Sequence, residues 1–283
     1  MKRLKRIIFN MLALVMVACV CFTFTACEDV RRLEITVSIY DADEAEMVDK
    51  TLTVDLYRHL APKTVDHLIK NCVEQNYYNG AIFYKESSYA QQKQIMMGDI
   101  KVGASSDEVL KLDPVDTVEG EFEYGTTVGS NLVNKEGSIG LWRTWSALDG
   151  SYTTSSSTNT GSATWFMPTE SLTQYDGWFC VFAQINLNDE NNSKTWNAIK
   201  NGFATTDLYE EYVIYYTGEY GSLQFNCLPK TEFDNLTSGE KEAVFEAKQN
   251  QHVSFNKRSV LLPVATVKGE KTFAIQIKGV KMI

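Results

Sequence analysis

The sequence predicts a mostly β fold with a few helices: a closed antiparallel barrel capped by two helices, with an inserted helix-containing segment. Three observations predict it. Leu33, Ile35, Val37 and Ile39 alternate with polar residues, and so do Leu52, Val54 and Leu56, the period-2 signature of half-buried strands. The period switches once near the start, where Ala61, Val65, Leu68, Ile69, Cys72 and Val73 share one helical face. Strand patterns then dominate again up to Phe273, Ile275, Ile277 and Val280, a layout that suits an antiparallel barrel plugged by helices.

Residues 33–57 read as an antiparallel pair joined by the acidic stretch Asp41 to Asp49. That stretch lacks the glycine of a calcium loop, so it is read as a solvated hairpin connection. Pro62 stands at the first turn of a helix over 61–75, where a missing N–H costs nothing. Tyr77 to Gly80 ends that helix, and Ile82-Phe83-Tyr84 begins a short strand. Residues 101–134 read as loop with weak strands, and the Ser/Thr/Gly run over 150–164 as a long loop. Phe179 to Phe182 with Ile185 gives a buried strand, and Lys194 to Ile199 a short helix. Thr237 and Glu240 form a capping-box pattern ahead of Ala243, Val244, Phe245 and Ala247.

The N-terminus carries an export pattern. Lys2, Arg3, Lys5 and Arg6 precede an apolar run from Ile7 to about Phe24, then Thr25-Ala26-Cys27 and the polar Glu28-Asp29. A small-residue step ending on cysteine resembles the bacterial lipobox. That resemblance implies a signal peptide over 1–26, lipid on Cys27 and a tether over 27–32. Cys19 after Ala18 is a rival site, and an uncleaved anchor is the other reading. Residues beyond 27 are therefore expected outside the cytoplasm, held at the membrane by lipid.

Removing 1–26 leaves 23 Lys and Arg against 36 Asp and Glu, a net charge of −13. Such a surface does not neutralise phosphates, so a nucleic-acid partner is excluded. Only Cys72, Cys180 and Cys227 follow the lipid site. An odd number gives no disulfide framework, and the first two sit in apolar patterns as buried small side chains. His59, His67 and His252 are scattered, with no metal-ligand spacing, and no cofactor is implied.

Leu52-Thr-Val-Asp-Leu-Tyr-Arg-His-Leu-Ala-Pro-Lys-Thr-Val65, followed by Tyr78-Asn-Gly-Ala-Ile-Phe83, resembles the cyclophilin family of peptidyl-prolyl isomerases. Gly98-Asp99, Gly137 to Leu141, Thr160-Gly161-Ser162 and Asp176-Gly177 with Val181-Phe182 resemble that family's later segments in the same order. The resemblance implies a cyclophilin-like domain over 33–283, with residues 203–256 as a family-external insertion. It implies a monomer that takes proline-containing polypeptides and assists the folding of exported proteins.

The family holds the proline ring in an apolar pocket and directs an arginine at the prolyl nitrogen. Here its Phe-His-Arg corresponds to Phe83-Tyr84-Lys85, so Lys85 stands where the guanidinium would be. A lysine is a point donor on a flexible stem, not a planar fork. The two glutamines that steady the arginine and the substrate correspond to Met96 and Ala163. Trp165, Tyr175 and Phe179 fall at apolar or aromatic pocket positions, consistent with an aromatic cleft or with plain barrel core. Arg143, on the neighbouring strand, either supplies the missing guanidinium or faces solvent. Weak isomerase activity is one expectation. The alternative is a non-catalytic binding module, whose partner surface would be the Tyr-rich stretch Tyr209, Tyr212, Tyr215, Tyr216 and Tyr220.

Overall fold

A computed structural model describes residues 31–87, 93–125, 127–143, 158–219, 222–244 and 257–283. Cys27, Cys19 and the export pattern lie outside the described residues, as do 144–157 of the Ser/Thr/Gly region, Tyr220, and Phe245 and Ala247 of the helix expected after Thr237. Arg31–Ile283 is one compact unit.

The first two strands, β1 (Arg31–Asp41) and β2 (Glu46–Leu56), pair antiparallel with Leu33 opposite Val54 and Ile35 opposite Leu52. That register sends every alternating aliphatic to one face, where Leu33, Ile35, Val37, Leu52 and Val54 are buried. The connection is tighter than the expected acidic loop, a four-residue turn over 42–45 with Ala45 at positive φ. Helix α1 (Pro62–Leu68) has Pro62 in its first turn and runs on as a π-helical stretch, Ile69–Val73. Buried Glu121 accepts the Lys63 and Thr64 backbone N–H groups at 3.0 and 2.6 Å, satisfying two of its orphan donors.

Short strands follow: β3 (Lys85–Glu86), β4 (Gln94–Met97), β5 (Ile100–Val102), β6 (Val109–Lys111), β7 (Glu121–Phe122), β8 (Thr127–Ser130), β9 (Ser138–Leu141) and β10 (Trp165–Pro168). Strand β11 (Cys180–Ile185) precedes helix α2 (Glu190–Asn201). The helix is longer than Lys194 to Ile199 because Asp189 caps it, accepting the Asn192 N–H at 2.9 Å. The rest is β12 (Tyr209–Thr217), β13 (Gln224–Pro229), α3 (Lys230–Asp234), α4 (Ser238–Glu242), β14 (Arg258–Val267), β15 (Glu270–Phe273) and β16 (Ile275–Met282). Thr237 and Glu240 form the expected capping box on α4.

Seven strands make one curled antiparallel sheet in the order β16-β1-β2-β11-β9-β10-β4. The barrel is open, not closed as the sequence suggested. The segment that would close it, Ile82 to Tyr84, reaches both edges only through isolated bridges, Ile82 to Gln276 and Tyr84 to Met96. Beyond Tyr84 the chain leaves the barrel edge, and β3 pairs with β14 instead. A second sheet, β13-β12-β14-β15, thus joins the barrel through β3. It draws on residues up to Phe273, beyond the 203–256 insertion.

Two large buried clusters result. The first fills the curl of the seven-stranded sheet beneath α1 and α2, and includes Cys72, Cys180 and Trp196. The second joins Tyr84, Met96, Phe166, Tyr175 and Phe179 to Tyr212, Ile214, Tyr216, Val260 and Leu262 of the second sheet. Tyr212, Tyr215 and Tyr216 are therefore buried, which corrects their assignment to an exposed partner surface. The reason is position: β12 is an inner strand of its sheet, and Tyr215 on its other face packs on Phe233 of α3. Cys72, Cys180 and Cys227 are free thiols. No helix among the described residues is long and apolar enough to cross a membrane.

Candidate active site

Strand alternation on β10 sorts the site. Trp165 pairs with Met97 and Leu141, while Phe166 pairs with Met96 and Gly140. Trp165 therefore points into the barrel, its ring centre 4.7 Å from Tyr78 and 5.5 Å from Phe182. Phe166 points out, toward Met96. Gly140 permits this, because a Cβ there would lie 2.3 Å from the Phe166 ring. The turn after β4 needs its glycine too: Gly98 has φ +102, and a Cβ would press on the Ala163 carbonyl.

Four aromatics meet on the outer face. Phe166 lies edge-on to Tyr175 at 5.6 Å and to Phe179 at 5.1 Å, and Tyr175 lies 4.7 Å from Phe179. Trp142 stacks on Phe179 at 5.2 Å and 21°. These separations fall in the range where aromatic pairs attract beyond their burial. Of Trp165, Tyr175 and Phe179, expected to line an aromatic cleft, the last two join Phe166 in a buried cluster with Trp142 packed against it, and Trp165 does not.

Arg143 follows Trp142 and is 2 % exposed, so it does not face solvent. Its guanidinium carbon sits 5.0 Å from the centre of the Phe179 ring and 5.1 Å from that of Phe122. Its Nε donates to the Trp178 carbonyl at 2.8 Å. Burial lowers its pKa to about 10, which leaves it charged at neutral pH. With Thr64, Phe122, Leu141, Thr158 and Cys180 it lines a small pocket beside the start of α1.

The other expected site residues lie elsewhere. Phe83 and Ala163 are in the barrel core, and the Ala163 carbonyl accepts the Tyr78 hydroxyl at 2.9 Å. Lys85 is half-buried, pairs its backbone with Leu261, and holds its ammonium 5.3 Å from the Phe203 ring centre. Burial pulls its pKa down. Of the expected residues, Met96, Tyr175 and Phe179 share the outer cluster, with Arg143 stacked on Phe179. Phe83, Lys85, Ala163 and Trp165 do not join them there.

Sequence reasoning missed Trp142, Phe166 and Arg258. Phe166 follows once the β9–β10 register is fixed, since it is the strand neighbour of Trp165, and Trp142 immediately precedes Arg143. Arg258 had no local signal. From β14 it donates to Glu86 Oε1 at 2.5 Å, to Asp99, and to the Tyr84 hydroxyl at 3.4 Å, with its guanidinium 5.4 Å from the Tyr84 ring centre. Burial raises the Tyr84 hydroxyl pKa well above its ordinary range. Among the described residues no cluster of His, Cys, Asp or Glu could hold a metal ion.

The described chain is thus an antiparallel half-barrel with an arginine-flanked aromatic cluster on its outer face. Residues 43–214 match the family model described as cyclophilin type peptidyl-prolyl cis-trans isomerase/CLD. The chain belongs to that family. Among solved structures it is similar to a cyclophilin-type peptidyl-prolyl cis-trans isomerase of Cryptosporidium parvum. The identity is 16 %, covering 61 % of this chain and 85 % of that one, with a TM-score of 0.40. The same protein in the presence of the dipeptide Ala-Pro matches at 18 % identity, covering 57 % and 84 %, with a TM-score of 0.35. No curated protein sequence matches the chain.

Proposed function

We propose that this chain is a weak, membrane-tethered prolyl isomerase that acts on exported polypeptides, with Arg143 as its electrophilic donor. The basic start, the apolar run and Cys27 support the lipid tether and the extracytoplasmic location. The acidic domain supports protein clients over nucleic acid, and it would act as a monomer.

The chemistry is physical. Rotation about an X–Pro bond faces about 20 kcal/mol, maintained by amide resonance. A guanidinium directed at the prolyl nitrogen favours the lone pair's departure from resonance, and a fixed apolar wall holds the ring while the bond twists. The observation that carries this reading is the Arg143 guanidinium lying on the Phe179 ring, within the Trp142–Phe166–Tyr175–Phe179 set. Lys85 is turned to Phe203 and serves packing.

An isomerisation assay on a short Ala-Pro peptide, with the full chain in detergent, tests it. Arg143→Ala should lower the catalysed rate by about a hundredfold, the scale for loss of one preorganised donor, while Lys85→Ala leaves most of it. The reverse ranking would return the site to Lys85. A second reading is favoured by burial: Met96, Phe166, Tyr175 and Phe179 are each at most 2 % exposed. Under it the chain binds proline-containing segments without turning them over. Peptide binding with no acceleration above the uncatalysed rate would select that reading.

A further inference from the structure

We infer that the second sheet is a built-in lid over the aromatic set, clasped by Arg258, so that the site is latent until the clasp opens. This rests on the proposed prolyl site and adds its regulation.

Three observations converge. The strand that resembles the family's catalytic strand is itself engaged: Glu86 pairs with Val260, Lys85 with Leu261, and the Ser87 N–H donates to the Ser259 carbonyl at 2.9 Å. The second sheet's Tyr212, Ile214, Tyr216, Val260 and Leu262 share one buried cluster with Met96, Phe166, Tyr175 and Phe179. A peptide that is to reach those four side chains meets a face already filled by the chain itself.

The third observation is how the cover is held. The backbone seam on β3 is only two paired residues long. Arg258 spans it, binding Glu86 on β3 and Asp99 just past β4. These carboxylates belong to the barrel side, so one side chain ties the sheet to both segments flanking the cluster. Truncating one member of such a partly buried set leaves the other charges uncompensated, which weakens the seam more than a surface pair would. Beyond the seam the sheet is held by its chain connections after Phe203 and at Ala274, by Ser106, whose Oγ donates to the Lys271 carbonyl at 2.6 Å, and by Lys111, whose ammonium lies 5.4 Å from the Tyr216 ring centre. Opening the lid therefore breaks the seam and these side-chain contacts, while the chain connections keep the sheet on the barrel.

A site competent only when the lid is open shows its intrinsic affinity divided by the open fraction. A lid shut nine-tenths of the time therefore hides about tenfold of affinity. Two variants of the full chain test this, read by titration with a fluorescent Ala-Pro peptide and by amide hydrogen exchange. Arg258→Ala should speed exchange in β12 and β14 but not in β1 and β2, and should tighten peptide binding about tenfold on the same arithmetic. Ser87→Cys with Ser259→Cys, once oxidised, should lock the seam and abolish binding, and reductant should restore it.

Equal peptide affinity in the locked and reduced forms overturns the lid and leaves the prolyl site standing. So does faster exchange in Arg258→Ala with no gain in affinity. If exchange in β12 and β14 is unchanged in Arg258→Ala, Arg258 is not the clasp. No binding in any form, the opened variant included, refutes the prolyl site itself. Should Arg258→Ala fail to fold, the lock and its reversal decide alone.

Discussion

The barrel interior and the outer aromatic layer are built from the same chain by different rules. Among the described residues, seven of the thirty-six buried members of the interior cluster are aromatic, against seven of fifteen in the outer one. The interior is mainly aliphatic, drawn from strands whose alternation sends side chains inward and from the buried faces of helices α1 and α2. The outer layer assembles large rings from segments far apart in sequence, Tyr84, Phe166, Phe179 and Tyr212 among them. Three of its seven aromatics are on the second sheet. Local pattern suffices to build the interior, whereas a buried layer of rings between two sheets depends on registers and partners that no single segment encodes.

Trp165 breaks that comparison most sharply if it is wrong. The resemblance puts it in the pocket, and the strand register puts it in the barrel, fully buried. Trp165→Ala should destabilise the protein by about 3–5 kcal/mol, the usual cost of deleting a large core aromatic, seen as a lower urea midpoint with unchanged slope. A variant that keeps its stability and loses only peptide affinity would return Trp165 to the cleft.

The same residue shows how much was legible. Strands β1, β2, β11 and β16, helix α1 and the capping box on α4 follow from period and punctuation. The family follows from the segment around Ala61-Pro62 and Tyr78 to Phe83. The site is only half legible, because resemblance places residues to within one position and a strand reverses its face at every step. Hence Phe166 was missed beside Trp165. Closure of the barrel was misjudged for another reason: whether β3 pairs with β4's neighbours or with β14 depends on a strand some 170 residues away.

Gly140 sharpens the boundary between the two layers with a smaller effect. It is the only described β9 residue opposite Phe166, and a Cβ there would fall 2.3 Å from that ring. Gly140→Ala should cost about 1–3 kcal/mol, as for other overpacked sites. The near-ultraviolet circular dichroism of the outer rings should change while the far-ultraviolet signal stays. Unchanged near-ultraviolet spectra with unchanged stability would mean that Phe166 does not lie over β9.

The smallest effect belongs to the interior's rim, where α2 is tied to the barrel. Glu136 accepts Lys200 Nζ at 2.5 Å and Trp196 Nε1 at 3.1 Å. The Lys200 bond, opposed by partial burial and aided by Trp196, lowers its pKa below the ordinary 4.5. A carboxylate depressed in the folded state contributes stability above its unfolded pKa and loses it as pH falls through the folded one. Glu136 is 41 % exposed at its side chain, so solvent screens the pair. Glu136→Gln should therefore cost less than about 1 kcal/mol at neutral pH. The deficit should shrink as pH falls below the ordinary carboxylate range and also as salt is raised, both read as urea midpoints. A deficit that persists in acid would show that the carboxylate's charge is not the source of the effect.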